Sequence, residues 1–321
     1  MSLAKPLKVG VIGPAGFGGS YLCVELLNRG HTVIGISRNP SKLGKHPRYI
    51  PRSVDIDNGS IEEIAETFKG LDVLVSDYFS RSLLVHTITK FKSGSNFSVP
   101  FLEAVRKLIL AHKLQPTSYF LFVGGAGSLH VPGTSITCAD HPDFFLAYRR
   151  AISTSLAHIA YMEERLGILG TSLRRYRSAR LASPRTAEDE AVIAEYEQQV
   201  RSKDGASDFI KGGRTSYMFF EERTSFQWSF VSPPALYRPG KRTGKYEISI
   251  DDAVLVGEQQ GDDVFEGRMT GISVGDMAIA IADEVEAKKL VGKHWSAWGD
   301  ISEDVVAPAY ATLEAVDGGS S

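Results

Sequence analysis

Three glycines near the N-terminus have the spacing of a phosphate-binding turn. They stand in the stretch GPAGFGGS, between a short apolar, β-branched run and a stretch with the apolar pattern of a helix. A turn of this kind at a helix N-terminus offers backbone N–H groups and a positive dipole end to phosphate oxygens. The spacing therefore predicts a dinucleotide site. The candidate contacts are Gly13, Pro14, Ala15, Gly16, Phe17, Gly18 and Gly19.

The residues after the second predicted strand, 31–36, indicate which dinucleotide fits. They are Ser37 and Arg38, with Lys42 close behind, and no Asp or Glu is present to bind the ribose 2′-hydroxyl of NAD. An arginine in this place pairs with the 2′-phosphate of NADP. The sequence therefore predicts NADP(H) as the cofactor, although a solvated arginine remains the alternative.

Strands and helices alternate along the first half of the chain, as in a parallel sheet with helices on both faces. The predicted strands are 7–12, 31–36, 53–56, 72–76 and 119–123, the helices include 61–68 and 100–113, and the polar stretch 78–99 is predicted as a loop. Ligands bind at the carboxyl ends of such strands. The further cofactor contacts predicted there are Asp55, Ile56, Ser76, Gly124 and Gly125.

Several longer segments carry a family resemblance. They are the glycine turn, SRNPSKL at 37–43, FVGGAGSLHVPG at 122–133, DHPDF at 140–144 and WSFVSPPALYRPGKRTGKY at 228–246. With them the chain resembles the atypical short-chain dehydrogenases/reductases, a group with NADH-flavin reductase-like, NmrA-like and biliverdin-reductase-B-like proteins. The resemblance covers 7–160 and 215–290 and is lost over 171–214.

The resemblance implies a Rossmann-like doubly wound parallel sheet in a single domain, 1–321, with a small C-terminal substrate lobe from 226–300. It also implies binding of NADP(H) and, in many relatives, reduction of flavins, quinones or related conjugated acceptors. Other relatives bind the cofactor as sensors without catalysis. In the related proteins the loop Ser232-Pro233-Pro234 lies against the nicotinamide, and its prolines cannot extend the preceding strand.

Candidates for a proton donor are incomplete copies of the Tyr-x-x-x-Lys pair of the superfamily. Tyr148 has isoleucine four residues on, Tyr161 has Arg165, and the string 237–241 contains Pro-Gly and is predicted as a turn. The catalytic candidates are Tyr148 and Ser128, with a structural or cofactor-positioning role as the alternative. Acceptors that delocalise charge need little acid help from the protein. The incomplete pair therefore favours a flavin or quinone and fits a sensor equally well.

The segment 171–214 is basic at first and then acidic, with a predicted helix at 187–200. It is predicted as a polar helical insertion: a solvated surface element, a lid over the substrate pocket or a dimerisation element of a homodimer. A later helix is predicted over 271–287 with Ser273 as its N-cap, and 312–321 is predicted as a flexible tail.

Composition excludes several other classes of function. The net charge of −2 gives no argument for a nucleic-acid or membrane surface, and no apolar run reaches the length of a membrane span. Two cysteines cannot form a disulfide framework, and a strand begins too early for a signal peptide, so a cytoplasmic location is expected. The histidines show no metal-ligand spacing, and no metal is predicted.

The sequence as a whole predicts an NADPH-dependent oxidoreductase that acts on a small conjugated acceptor. The alternatives are a non-catalytic NADP(H)-sensing regulatory protein of NmrA-like type and a reductase or isomerase that tailors secondary metabolites.

Overall fold

The computed structural model describes residues 5–78, 98–202, 205–259 and 261–317. The strands are β1 Lys8–Ile12, β2 Thr32–Ser37, β3 Tyr49–Ser53, β4 Val73–Ser76, β5 Tyr119–Val123, β6 Trp228–Val231, β7 Leu236–Arg238, β8 Glu247–Ile250, β9 Gly271–Ser273 and β10 His294–Trp298. The predicted loop over 78–99 lies, apart from its two ends, outside the described residues.

The helices alternate with the strands along much of the chain and pack against the sheet. They are α1 Phe17–Asn28, α2 Ile61–Glu66, α3 Ser98–Leu114, α4 Phe144–Ser153, α5 Leu156–Leu166, α6 Ile168–Leu181, α7 Ala187–Arg201, α8 Gly205–Tyr217, α9 Val274–Ala287 and α10 Glu314–Asp317.

An eight-stranded sheet forms the centre of the molecule, in the order β3-β2-β1-β4-β5-β6-β10-β8. Neighbouring strands are parallel except β8, which runs antiparallel to β10 at one edge. Side chains of β5 alternate between two apolar layers: Leu121 packs with helices α1 and α9, whereas Phe120 and Phe122 pack with α2 and α3. Both faces of the sheet are covered, so the predicted Rossmann-like doubly wound fold is confirmed.

The strand predicted at 53–56 is wrong, because the third strand lies earlier, at Tyr49–Ser53. It pairs with β2 at the free edge of the sheet, with Val33 opposite Tyr49 and Ser37 opposite Ser53. Edge strands tolerate proline and polar residues because one row of their backbone groups needs no partner. Pro51 and Arg52 interrupt the apolar pattern of this strand, so the pattern does not predict it.

Two further boundaries differ from expectation at the C-terminal end. The predicted helix over 271–287 starts with β9, and α9 begins only at Val274, where the Ser273 hydroxyl accepts a hydrogen bond from the Asp276 N–H at 3.0 Å. The predicted flexible tail is anchored at its start, because Leu313 is 1% exposed within the core and its N–H donates to the carbonyl of Leu43. Residues 318–321 lie outside the described part of the chain.

The predicted insertion is occupied by α6, α7 and α8. Arg150 of α4 holds α7 through two hydrogen bonds to the Glu197 carboxylate, at 2.9 and 2.7 Å, and the rings of Tyr176 and Tyr196 stack at 4.2 Å. Helix α8 packs on α3 next to the sheet. These contacts make α4 to α7 one helical layer beside the carboxyl ends of the strands.

Candidate cofactor and substrate site

A cavity of about 540 Å³ opens at the carboxyl ends of β1, β2 and β5. The predicted site residues that line it are Gly13, Ala15, Gly16, Phe17, Gly18, Ser37, Arg38, Lys42, Asp55, Ile56, Gly124, Gly125, Tyr148, Pro233 and Pro234. The predicted site residues outside its lining are Pro14, Gly19, Ser76, Ser128 and Ser232. Most of the predicted cofactor contacts are therefore brought to one place.

The glycine turn has the geometry that a bound diphosphate requires. Gly13 has φ +82°, a conformation that side chains disfavour, and a Cβ added to Gly19 would lie 2.1 Å from the Gly13 carbonyl oxygen. Helix α1 begins directly after Gly16 with no side-chain cap and no acidic residue of its own in the first turn. The close approach of turn and helix fits the phosphates of a dinucleotide.

Residues 37–43, which we call the basic turn, follow β2 and border the cavity. Arg38 and Lys42 are both exposed, and both line the cavity. Asp55 faces this turn. A hydrogen bond from the Asn58 side chain, backbone N–H groups and the nearby charge of Arg38 all lower the pKa of its carboxyl. The basic turn has the charge and exposure that an additional phosphate would need.

An aromatic wall, formed by Phe17, Tyr148, Tyr161 and Tyr237, lines another part of the cavity. The Phe17 ring lies 4.5 Å from the ring of Tyr161 and 4.8 Å from that of Tyr237. The guanidinium of Arg165 stands 5.4 Å from the Phe17 ring centre and donates a hydrogen bond to the Tyr161 hydroxyl. Flat, conjugated molecules pack well against a wall of this kind.

The Tyr161 phenol stays protonated at neutral pH. Its removal from water raises the pKa to about 12, although the positive charge and hydrogen bond of Arg165 act in the opposite direction. Burial likewise raises the pKa of Tyr148. A phenol in this state can donate a proton and cannot act as a base until it has done so.

Ser128 and Ser232 belong to a buried cluster behind the cavity wall. Their hydroxyl oxygens are 2.7 Å apart, and Nε2 of His294 lies 2.9 Å from Ser232 and 3.2 Å from Ser128. Burial lowers the pKa of His294 to about 3, so the ring is neutral. The cluster ties the loop after β5 to the loop after β6, and the catalytic role predicted for Ser128 has no support in its position.

Four residues near the site were not predicted as site residues. Asp77 follows β4, Tyr161 and Arg165 lie one turn apart on α5, and Tyr237 belongs to β7, not to the turn predicted there. The Tyr-x-x-x-Arg spacing and the acid after a buried strand were visible signals. These signals alone do not show that the side chains belong to the site, because that depends on which face of the helix points to the cavity.

The fold and the glycine turn define a nucleotide-binding protein of Rossmann type, and comparison with known proteins identifies the nucleotide. Residues 13–162 match the model of the NAD(P)H-binding family. Over this range the chain is similar to NAD(P)H-binding domains, in agreement with the resemblance seen in the sequence.

Two curated relatives are similar in sequence. An uncharacterised protein of Bacillus subtilis (strain 168), YwnB, is 26% identical over 282 residues, which is 87% of this chain and 92% of the relative. A 3-beta-hydroxysteroid dehydrogenase of Mycolicibacterium neoaurum is 31% identical over 134 residues, which is 41% of this chain and 36% of the relative.

Solved structures share the fold at low sequence identity. A protein of Bacteroides thetaiotaomicron named as an inferred epimerase superposes with a TM-score of 0.58 at 22% identity, over 92% of this chain and 97% of that one. An inferred NADH-flavin reductase of Streptococcus pneumoniae gives 0.54 at 19% identity, over 92% and 100%. These likenesses establish a common fold.

Membrane-spanning helices and metal-ligand clusters are both absent from residues 5–78, 98–202, 205–259 and 261–317. Within those ranges, no helix is long and apolar enough to cross a bilayer. In the same part of the chain, no three His, Cys, Asp or Glu side chains are grouped as a metal site would need.

Proposed function

We propose that the protein is an NADPH-dependent oxidoreductase whose acceptor is a flat, conjugated molecule such as a flavin, a quinone or an aromatic metabolite. The observation that carries the proposal is one cavity bordered by the glycine turn, the basic turn and the aromatic wall. The NAD(P)H-binding domain supports the oxidoreductase class. The partial match to a protein named as a dehydrogenase agrees with it.

The preference for NADPH over NADH rests on the basic turn. Arg38 and Lys42 border the cavity directly after β2, and no acidic residue occupies the strand end where NAD-binding sites hold the ribose. A guanidinium forms charge-assisted hydrogen bonds with the 2′-phosphate of NADPH. The uncharged 2′-hydroxyl of NADH cannot form bonds of this strength. The glycine turn would hold the diphosphate, and Gly124, Pro233 and Pro234 would shape the nicotinamide end.

The protein's own residues would orient the acceptor and supply a proton. The bound cofactor provides the hydride. Tyr161 presents a protonated phenol to the cavity, and Arg165, which donates to the phenol oxygen, stabilises the negative charge that remains after the proton leaves. Arginine keeps its own proton, so it acts here as a fixed positive charge. Tyr148 and Phe17 would pack against the acceptor ring.

The function is tested by following the oxidation of NADPH and NADH by absorbance with FMN, riboflavin and a series of quinones. We expect turnover that prefers NADPH with at least one of these acceptors. Tight binding of NADP(H) without turnover on any acceptor would favour the sensor instead. Absence of binding would contradict both.

The role of Tyr161 gives a prediction for the same assay. Tyr161→Phe is expected to lower kcat with a quinone acceptor by about tenfold or more, because general-acid catalysis typically contributes at least ~10²-fold and water can replace part of it. The KM for NADPH should stay unchanged. Tyr148→Phe is the matched control: it removes a hydroxyl from the same aromatic wall and should change KM for the acceptor without lowering kcat. Equal kcat in Tyr161→Phe and the unmodified protein would rule out Tyr161 as the donor.

A further inference from the structure

Asp77 lies at the helix end where the diphosphate of the cofactor is expected. Its backbone N–H donates to the Ile12 carbonyl at 3.0 Å, which holds the residue beside the glycine turn. Its carboxylate accepts a hydrogen bond from the Gly19 N–H in the first turn of α1. A Cβ added to Gly18 would lie 2.8 Å from Asp77 Oδ2. The carboxyl of Asp77, which directly follows β4, therefore lies at the positive end of α1.

The described groups that face this carboxyl are few and of known charge. Arg165 of α5 is the one cation among the described residues whose charge acts on it. Tyr237 of β7 and Cys23 of α1 both feel its negative charge, and Tyr161 stands beside Arg165. Tyr237, Cys23 and Tyr161 are neutral groups. One guanidinium and one N–H therefore stabilise the ionised form of Asp77.

These influences bring the pKa of the Asp77 carboxyl close to neutral pH. Removal from water raises the pKa of its carboxyl to about 7, against the lowering effects of Arg165 and the Gly19 N–H. A diphosphate bound at the same helix end would add negative charge beside this carboxyl. Like charges in a site of low polarity strongly favour protonation of one partner. The diphosphate cannot be protonated near neutral pH, so the proton must go to Asp77.

We propose that Asp77 takes up a proton when NADP(H) binds, so that the affinity of this site for the cofactor falls as the pH rises above neutrality. This inference rests on the proposed function, because it assumes that the cavity binds the dinucleotide. Asp77 acts as a positioning residue: in the bound state its neutral carboxyl leaves the positive end of α1 to the diphosphate.

The sign of the effect follows from proton linkage. Well below pH 7 Asp77 is protonated in the free and the bound protein, so Kd does not change with pH. Above pH 7 the free protein loses the proton and the complex keeps it, so Kd rises by up to about tenfold per pH unit. The other facing groups do not titrate in this range, because burial raises the pKa of Tyr161 to about 12 and also raises those of Tyr237 and Cys23.

The test is isothermal titration calorimetry with NADPH and NADH between pH 6 and pH 9, in two buffers of different ionisation enthalpy. The difference between the binding enthalpies in the two buffers gives the number of protons taken up. NADH lacks the 2′-phosphate, so its titration excludes protons bound by that group. The unmodified protein should take up about one proton at pH 8 with either cofactor, and Kd should rise by about tenfold or more from pH 7 to pH 9.

Asp77→Asn should abolish both effects. Its amide oxygen can still accept from the Gly19 N–H, so the fold of the turn is kept without the charge. The variant should take up no proton and should bind NADPH at pH 9 about as tightly as at pH 7. Asp72→Asn is the matched control, since Asp72 lies directly before β4 and outside the cavity lining, where its carboxylate accepts a hydrogen bond from the Lys8 N–H at 2.7 Å. It should retain the proton uptake of the unmodified protein.

The outcomes separate this inference from the proposed function. Binding without proton uptake in the unmodified protein, or uptake that persists in Asp77→Asn, overturns the inference alone. Absence of binding at every pH overturns the proposed function and the inference with it. If Asp77→Asn does not fold, the two-buffer measurement on the unmodified protein still decides, because it needs no variant.

Discussion

Arg38→Ala is expected to weaken NADPH binding by about 10- to 100-fold and to leave NADH binding within about twofold. The arginine is exposed at the cavity beside the end of β2, and among the described residues no carboxylate lies within salt-bridge distance of its guanidinium. Its loss would remove hydrogen bonds between charged groups, each worth roughly 1.5–3 kcal/mol. Parallel fluorescence titrations with the two cofactors measure the effect directly.

A neighbouring arginine provides the control for this experiment. Arg52 of β3 donates to the carbonyls of Thr67 and Lys69, at 2.8 and 2.9 Å, and does not line the cavity. Arg52→Ala removes the same charge from the same side of the sheet and should leave both affinities unchanged. Equal losses for NADPH and NADH in Arg38→Ala would mean that Arg38 contacts a part common to both cofactors. No loss for either would place the 2′-phosphate elsewhere.

The strands β1 and β2 and the glycine turn between β1 and α1 could be predicted, the strands to within about one residue, because their signals are local. A strand buried on both faces must be apolar, and a turn with positive φ at Gly13 calls for glycine. The edge strand β3 could not be predicted from an apolar pattern, because its outer edge needs neither burial nor a hydrogen-bonding partner. Local pattern therefore predicts the centre of this sheet better than its margin.

The substrate side of the cavity depends on contacts that no local pattern reveals. Tyr161 and Tyr237 come from a helix and a short strand far apart in the chain, and both rings pack against Phe17. Ser128 follows a strand at the ligand edge, as a catalytic serine would, yet its hydroxyl turns inward to Ser232 and His294. Sequence spacing places a residue near a site, and packing decides which way its side chain points.

Gly19→Ala is expected to reduce NADPH affinity by at least about 100-fold and to destabilise the fold by about 1–3 kcal/mol, the usual cost of overpacking. The new Cβ would lie 2.1 Å from the carbonyl oxygen and 2.9 Å from the carbonyl carbon of Gly13. Both are backbone atoms, so the clash is relieved only if α1 moves away from the turn. That movement separates the helix N–H groups from the phosphates that they would bind. Thermal unfolding and an NADPH titration measure the two effects.

Gly125→Ala distinguishes this clash from a general effect of adding a methyl group beside the cavity. Gly125 has extended backbone, with φ −162° and ψ 164°, and no atom within 4 Å of an added Cβ. Its replacement should leave thermal stability unchanged, since any residue adopts that conformation and nothing must move. Gly19 lies outside the cavity lining, so an affinity loss in Gly19→Ala would arise through the position of α1 against the turn, including the Gly19 N–H that bonds to Asp77. A Gly19→Ala protein with native stability and affinity would show that the approach of helix to turn is looser than 2.1 Å implies. The dinucleotide would then have to be held chiefly by the basic turn.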